Sequence, residues 1–310
     1  MAANQTKREP RVVINPTASQ IGGVNAILWG RAKQYHVAEF PGPLSIKSVV
    51  RGSGVWETSE AERVVDTASY LVLNAGRPYS ITIDAQKIVE TFCLFFHAGF
   101  AEDVNRVESG APMALLDESP DSGAPLEFFE TLHPHDAEVS PLLRRMRQRI
   151  SDKSATAAWL EDQFFAVARA MLKVRGRSEK QAARIPAKKM STRQELYRRL
   201  LRGKDYLDSF FAGEVQLHHA AGAACVSPYH FHRLFREVFN ETPNQYLQRR
   251  RLIQARRLLA STDQSVTEIC LAVGFESMTS FSALFRRTFG YSPREYRSLL
   301  FHPARGAPDK

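Results

Sequence analysis

The chain has 310 residues, of which 44% are hydrophobic, and it carries a formal net charge of +9. A chain of this length usually folds as two domains. No apolar run reaches the roughly 18 residues that a membrane helix needs, and the opening MAANQTKREPRVV lacks the apolar region of a signal peptide. We therefore expect a soluble, cytoplasmic protein with no membrane partner.

The charge is distributed unevenly along the chain. Residues 1–172 carry 17 Lys and Arg against 21 Asp and Glu, a net charge of −4, whereas residues 173–189 and 191–300 carry +6 each. An acidic first part joined to a basic second part suggests two tasks. The basic part is a candidate for binding a polyanion.

The three cysteines, Cys93, Cys225 and Cys270, lie far apart in the sequence. Their spacing fits neither a metal site nor a disulfide framework. Each has apolar neighbours, so we expect buried thiols. Nothing in the sequence requires a metal ion or another cofactor.

The first predicted domain, residues 21–135, is rich in strands and follows a disordered N-terminus of residues 1–20. Its short β-branched and aromatic runs are LSIKSVV, GVWET, RVVD, SYLVL, YSITI and VETFCLFF. Turn sequences such as RGSG and NAGRPY separate the runs. This spacing favours an antiparallel sandwich or barrel, whose mouth is a usual place for a small-molecule pocket. The alternative is a filled core that binds no ligand.

Residues 136–175 form a predicted helical segment, with helices over 136–150 and 155–174. In the second helix an apolar stripe alternates spacings of four and three, the pattern of a coiled-coil seam. The stripe consists of Leu160, Phe164, Val167, Met171 and Val174. Either this helix packs on its own domain or it pairs with a second subunit. We favour pairing, and hence a homodimer, because Phe165 and Leu172 could contact the barrel instead.

Residues 176–192 form a predicted basic linker. The stretch RGRSEKQAARIPAKKM has no apolar periodicity, which is typical of a flexible connection. Contact with phosphates is a second interpretation of its charge.

Residues 193–300 predict an all-α domain that contains one segment twice. FHRLFREVFNETPNQY is followed 50 positions later by FSALFRRTFGYSPREY. Each copy combines a short helix, a tight turn and a second helix with one apolar stripe, which is the helix-turn-helix pattern. Ser227 and Ser277 are the expected N-caps of the second helices. A flexible tail of residues 301–310 would follow.

The outer faces of the two predicted second helices differ. Tyr229, His232 and Arg233 project near the start of the first helix, where such helices meet base edges. The equivalent positions of the second copy hold Thr279, Ser282 and Ala283, which are short side chains with few donors. We therefore expect the first helix to supply most base recognition and the second to supply mainly docking. Expected phosphate contacts follow on both helices: Arg236, Arg286 and Arg287.

A continuous helix over Pro243–Ala260 is predicted between the two copies. Its length of roughly 27 Å would help place the two second helices in adjacent major grooves, which are about 34 Å apart on one side of B-DNA. Its basic residues, Arg249–Arg251 and Arg256–Arg257, would either neutralise phosphates or remain solvated.

The stretch 251–297 closely resembles the signature of AraC/XylS-type transcriptional regulators. The most specific pieces are ICLAVGF (269–275), FSALFR (281–286) and GYSPREYR (290–297), and the resemblance extends over about residues 195–298. It implies that each second helix enters a major groove of double-stranded DNA. The family's base-contacting positions fall on Tyr229, His232, Arg233, Thr279, Ser280 and Ala283. Ala283 departs from relatives that carry a long polar residue there.

The first half is similar, less specifically, to the cupin-type sensor domain of such regulators. This similarity rests on SYLVLNAGRPYSITI and ETFCLFFHAGFAEDV. The resemblance as a whole implies an α+β protein with a cupin-like antiparallel barrel, controlled by a small-molecule effector and acting as an activator. An activator of this type would also contact RNA polymerase.

Two alternatives remain open at this stage. The first is a metal-dependent cupin enzyme, for which His97, His133 and His135 are the candidate ligands. LHPHD (132–136) resembles a turn, and its spacing is wrong for a His-x-His pair on one strand, so we do not expect an enzyme. The second is a ligand-independent repressor whose barrel only dimerises.

Overall fold

The computed structural model describes residues 12–109 and 126–301. It divides into two compact units, the first ending at Ala183 and the second beginning at Arg184. The predicted disorder over residues 1–20 is wrong from Val12 onward, because a strand and a short 3-10 helix (Ala18–Gln20) form there. Residues 1–11 and most of the predicted tail, 302–310, lie outside the described residues.

The described part of the first unit is built on one eight-stranded sheet. Its neighbours follow the order β1-β2-β7-β3-β6-β8, and β4 pairs with both β5 and β7. The strands are β1 (Val12–Ile14), β2 (Asn25–Pro41), β3 (Ser45–Arg51), β4 (Ser53–Thr58), β5 (Glu62–Asp66), β6 (Ser69–Leu73), β7 (Pro78–Phe95) and β8 (Leu132–Pro134).

The sheet is organised by a long ribbon of β2 and β7. The two strands pair from Ala26 opposite Phe95 to Pro41 opposite Pro78, with register shifts after Ala32 and after Val37. One end of β7 also pairs with β3 and the other end with β4. Bulges bend and twist a strand pair. The bent ribbon can therefore pair with β3 at one end of β7 and with β4 at the other end.

The sheet is open and mixed, which corrects the expected antiparallel barrel. Among the described residues, β1 pairs only with β2 and runs parallel to it, while β8 pairs with β6. Both edge strands have three residues, and closure would require them to pair with each other. The cupin-like assignment stays a prediction.

Both faces of the central strands are buried, which explains their continuous apolar runs. Alternate residues of β6 and β7, such as Leu71, Cys93 and Phe95, pack together with residues of other strands in a first cluster, which we call the inner cluster. The residues between them, such as Val72 and Phe92, pack against helices in a second cluster, which we call the outer cluster.

A lysine is enclosed in the inner cluster of the first unit. Lys47 of β3 is only 1% exposed. Its Nζ donates to Tyr79 Oη at 2.6 Å and lies 3.8 Å from the ring centre of Phe95. Burial lowers the pKa of Lys47 to about 7, because removal from water disfavours the charged amine.

Three helices cover the outer cluster: α1 (Phe100–Glu108), α2 (Val139–Ser151) and α3 (Ala157–Ala182). The predicted dimer seam of α3 is wrong, because its side chains are already enclosed within this unit. The seam residues and their exposed fractions are Leu160 (4%), Phe164 (0%), Val167 (0%), Met171 (2%) and Val174 (8%). The expected barrel contact Phe165 is instead 48% exposed. The widest apolar stripe of a helix is buried by the nearest apolar surface, here the sheet.

The predicted linker is largely helical, which corrects the expected flexible connection. The helix α3 continues to Ala182, and the next helix, α4 (Met190–Phe210), begins eight residues later. Only residues 183–189 lie between them. Small and charged residues without an apolar stripe can extend a helix that is already nucleated, so periodicity did not reveal this part.

The described part of the second unit contains helices and no strand. After α4 come α5 (Leu217–Ala223), α6 (Pro228–Phe239), α7 (Pro243–Ser261), α8 (Val266–Ala272), α9 (Met278–Phe289) and α10 (Pro293–Phe301). No helix within 12–109 or 126–301 is long and apolar enough to cross a membrane.

Candidate nucleic-acid interface

Two helix pairs of the second unit, α5 with α6 and α8 with α9, adopt the same local arrangement. The Ser227 hydroxyl accepts a hydrogen bond from the His230 amide, and the Ser277 hydroxyl accepts one from the Ser280 amide, both at 3.3 Å. Such caps satisfy amides that have no partner inside the helix. Both α6 and α9 therefore begin at a defined residue.

The turns between the paired helices close with the same hydrogen bonds but different residues. Cys225 and Gly274 take left-handed backbone angles, with φ of 51° and 88°. In each turn the amide after this residue bonds back to the preceding helix: Val226 N donates to Ala221 O, and Phe275 N donates to Cys270 O. This is the Schellman arrangement, which favours glycine at the left-handed position. The second turn is one residue longer, 273–277 against 224–227.

The glycine of the second turn is also required for close packing. A Cβ on Gly274 would lie 2.8 Å from the carbonyl oxygen of Ala212 and 3.0 Å from the Arg251 guanidinium.

The expected burial of all three cysteines is wrong for Cys225, which is exposed. Its position at the left-handed end of α5 directs it away from the apolar interior.

The shared apolar residues of α6 and α9 form the interior of each pair. Phe231 and Phe235 have no exposed surface, and neither do their counterparts Phe281 and Phe285. Because these positions fall at helical spacing on one face, the opposite face of each helix is directed to solvent.

All the predicted base and phosphate contacts lie on solvent-directed surface. The exposed residues are Tyr229, His232, Arg233 and Arg236 on α6, and Thr279, Ser280, Ala283, Arg286 and Arg287 on α9. Tyr229 is 78% exposed. Ser282, the counterpart of His232, is half-buried.

The exposed arginines of α6 are available to a ligand. Within the described residues, neither Arg233 nor Arg236 forms an ion pair or a side-chain hydrogen bond. Guanidinium groups in this state can bind base edges or phosphates in a bidentate manner. The corresponding exposed part of α9 offers the hydroxyls of Thr279 and Ser280 and the methyl group of Ala283, so the two helices differ strongly in hydrogen-bond donors.

Three arginines of α7 that were candidates for phosphate contact instead hold the unit together. Arg249 Nη2 lies 2.8 Å from Glu241 Oε1. Arg250 is 7% exposed, and its Nε lies 3.6 Å from Asp208 Oδ1. Arg251 donates to the carbonyl oxygens of Phe211 and Gly213 at the end of α4. The sequence of α7 does not distinguish the arginines that have partners within the protein from those that remain exposed.

A buried polar cluster between α4 and α7 was missed by the sequence analysis. Lys204 Nζ lies 2.9 Å from Asp208 Oδ2, and Tyr246 Oη donates to both oxygens of Asp208 at 2.8 and 2.7 Å. Burial lowers the pKa of Lys204, but the nearby Asp208 carboxylate outweighs it, so the net shift is upward. The spacing of four residues between Lys204 and Asp208 was the available signal. This cluster fixes α7, and with it both helix pairs.

The histidines that were candidates for a metal site are not brought together. His97 Nδ1 lies 2.8 Å from the carbonyl oxygen of Ala98, His133 stacks on Tyr70, and His135 Nδ1 lies 2.8 Å from Ser140 Oγ. Within the described residues no group of three metal-binding side chains exists. His133 lies on β8 and not in the turn that was expected.

The second unit matches known helix-turn-helix proteins. A family model described as "Helix-turn-helix domain" matches residues 220–298. The transcriptional activator RhaS of Enterobacter sp. (strain 638) is 45% identical over 92 residues, and RhaS of Escherichia fergusonii is 42% identical over the same length; each match covers 30% of this chain and 33% of the relative. The chain thus spans about a third of the length of these curated relatives.

Among solved structures, an AraC-type regulator from Chromobacterium violaceum is similar, with 30% identity and a TM-score of 0.32, covering 34% of this chain and 95% of that one. The family model covers most of the two helix pairs described above, and with the curated relatives it confirms the resemblance. Residues 220–298 thus form a helix-turn-helix domain that is similar to the corresponding part of transcriptional activators, and the likeness to AraC/XylS-type regulators is limited to this domain.

Proposed function

We propose that the chain is a sequence-specific DNA-binding transcriptional regulator. The single observation that supports this most is the exposed face of α6, where Tyr229, His232 and Arg233 stand beside one another on a firmly capped helix. Long polar side chains near the start of such a helix are suited to base edges in a major groove. The helix-turn-helix match over residues 220–298 and the similarity to the activator RhaS support the same proposal.

In this proposal α6 and α9 occupy adjacent major grooves. The connecting helix α7 has 19 residues, or about 28 Å at 1.5 Å per residue, which is compatible with the spacing of successive grooves. The helix α6 supplies most base recognition because it carries the donors. The helix α9 docks mainly through Arg286 and Arg287.

The sensing role is proposed for a cavity of about 480 Å³ at the loop end of the first unit. Its walls combine apolar residues such as Leu44 and Phe96 with the polar groups of Asn74, Arg77 and His97. Small-molecule sites are commonly concave and apolar with a few polar groups. A small-molecule effector would bind here and control the regulator.

Activation, contact with RNA polymerase and homodimerisation complete the proposal. The curated relatives RhaS are transcriptional activators, and we extend that role to this chain. The proposed dimer uses a surface other than the stripe of α3, which is buried within the unit. The alternative is a ligand-independent repressor, which would bind no effector in the cavity.

The proposed function is tested by selecting DNA from a random library with the full chain at moderate salt. We expect an enriched element with two parts about one helical turn apart, of which one part is strongly constrained and the other weakly. Recovery of sequences with no shared element would exclude sequence-specific regulation. Two equally constrained parts would exclude the assignment of base recognition mainly to α6.

The sensing role needs a separate measurement. The full chain is heated with a panel of small molecules, because a ligand that binds only the native state raises the apparent Tm. Ala98 is exposed and lines the cavity, so Ala98→Trp should abolish the shift without loss of fold. A shift that persists in this variant would place the ligand elsewhere.

A further inference from the structure

The helix α2 of the first unit carries a concentrated positive charge that the proposed function does not use. Its sequence VSPLLRRMRQRIS contains four arginines and no acidic residue, although residues 1–172 as a whole have a net charge of −4. The buried residues Val139, Leu143 and Met146 hold one side of the helix in the apolar cluster that it shares with α3. We define the basic face as Arg144, Arg145, Arg147 and Arg149 on the remaining side.

The basic face is not neutralised by its surroundings. Across residues 12–109 and 126–301, none of its four guanidiniums forms an ion pair with a carboxylate. Glu90 faces Arg147 but is already hydrogen-bonded by Trp29 and by Arg31. Arg144 and Arg145 are exposed, and their charge is therefore available to an anion.

The carboxylates at the two ends of α2 do not offset this charge. Glu138, just before the helix, is paired with Lys173 and Arg177 of α3. Asp152, just after it, receives no side-chain partner among the described residues and is a single charge beside four. The net charge of the face remains strongly positive.

One aromatic side chain holds part of the basic face in place. The guanidinium carbon of Arg149 lies 4.8 Å from the ring centre of Trp159, and that of Arg145 lies 5.9 Å from it. Stacking on an aromatic ring leaves the edges of a guanidinium free to donate hydrogen bonds. These arginines are thus partly ordered before any anion binds, which reduces the entropy lost on binding.

The last part of α3, from which the chain continues to the second unit, contacts the start of α2. Arg177, five residues before the end of α3, pairs with Glu138 at the start of α2. Only residues 183–189 then connect α3 to α4. DNA that is held by the second unit is therefore present at a high effective concentration for the first unit.

We propose that the basic face of α2 is a second DNA contact, which binds the phosphate backbone of the same duplex and extends the bound length. This inference rests on the proposed DNA-binding function. Phosphate contacts carry no sequence information, and their signature is the salt dependence of binding. The face should therefore add affinity for all sequences to the same degree.

The test compares the full chain with the double variant R144Q/R145Q, using one selected DNA and one random DNA of equal length. Loss of two phosphate contacts should lower the slope of log K against log salt by about 1.8 and weaken binding to both DNAs about 3- to 10-fold at 0.15 M salt. The ratio between the two DNAs should not change. R144K/R145K keeps the charge and should restore both the slope and the affinity.

The matched control is R106Q/R169Q, which removes the same charge from exposed arginines that already pair with Asp103 and Glu108. We expect it to change the slope by less than about 0.5, because only screened long-range charge is lost. Equal losses in both double variants, or an unchanged slope in R144Q/R145Q, would overturn the second contact. An acidic protein partner for the face would give this unchanged slope.

The two proposals fail in different ways in this experiment. If the unaltered chain does not distinguish the selected DNA from the random DNA, sequence-specific regulation is wrong, and the slope on random DNA still decides the basic face. If the unaltered chain is selective and R144Q/R145Q behaves like it, only the basic face is wrong. Circular dichroism and the Tm of each variant check that the helix content and the fold are unchanged.

Discussion

The two helix pairs share the same caps, turns and buried residues, which form a common frame, and they differ in their exposed side chains. The pair α5–α6 and the pair α8–α9 have equivalent serine caps, equivalent turn hydrogen bonds and fully buried phenylalanines at matching positions. On the outer side, α6 carries Tyr229, His232 and Arg233, whereas α9 carries Thr279 and Ala283 with Ser282 half-buried. Residues that build a motif and residues that use it therefore occupy opposite faces and vary independently.

A second difference concerns the turns. The first turn places Cys225 in the left-handed region with its side chain exposed, while the second places Gly274 there against Ala212 and Arg251. The same backbone conformation is thus tolerated at a cost in one pair and required by packing in the other.

The largest expected effect tests whether the two frames are equally important for stability. Phe235→Ala and Phe285→Ala each remove a side chain with no exposed surface. Each should lower the free energy of unfolding by about 3–5 kcal/mol, through lost burial and the cavity that remains. Urea denaturation followed by circular dichroism measures this. A cost below about 1 kcal/mol for only one variant would show that the frames are not equivalent.

Gly274→Ala should be the next largest change. The added Cβ meets the backbone oxygen of Ala212 at 2.8 Å, and alanine is strained at φ of 88°. We expect a loss of about 2–3 kcal/mol in unfolding free energy. Gly222→Ala is the control, since its Cβ would meet nothing within 4 Å and its backbone is not in the left-handed region. If the two variants have equal stability, the close approach at the second turn is unimportant.

Arg233→Ala tests the difference between the outer faces directly. We expect a loss of about 1–3 kcal/mol in binding that is confined to one base position, because a bidentate contact to one base is lost. Thr279→Ala on α9 should cost less than about 1 kcal/mol. Affinities are measured for a set of operators with single base changes. A uniform loss over all operators would instead make Arg233 a phosphate contact.

Cys225→Gly gives the smallest expected effect and concerns the first turn. Glycine relieves the strain at φ of 51°, and its greater freedom in the unfolded chain offsets part of the gain. We expect a net stabilisation of about 0.5 kcal/mol, seen as a higher Tm, with no change in DNA affinity. Cys225→Ala keeps the strain and serves as the control. A lower Tm for Cys225→Gly than for Cys225→Ala would contradict this account.

Local sequence patterns were sufficient to predict the helix pairs of the second unit. The predicted helix over 243–260 agrees with α7 within one residue at each end, and the expected N-caps Ser227 and Ser277 immediately precede α6 and α9. Caps, turn residues and helical spacing act between residues a few positions apart, and they can be recognised without knowledge of the rest of the fold.

Contacts between distant residues accounted for the errors. The stripe of α3 has the spacing of a dimer seam, but the sheet of its own unit covers Phe164 and Met171. The arginines of α7 form an even charge run, but Asp208 and the end of α4 take up Arg250 and Arg251. In both cases the pattern identified the type of surface and not its partner.

The sequence by itself determined that this chain carries two capped and repeated helix pairs, because hydrogen-bonded caps and apolar spacing are local properties. Only the tertiary structure decided that the sheet is open, that the α3 stripe is internal, and which arginines remain available to a ligand. A charged or apolar side chain has the same letter whether it is paired or free. Its partner is set by which surfaces meet when the chain folds, and this depends on residues far away in the sequence.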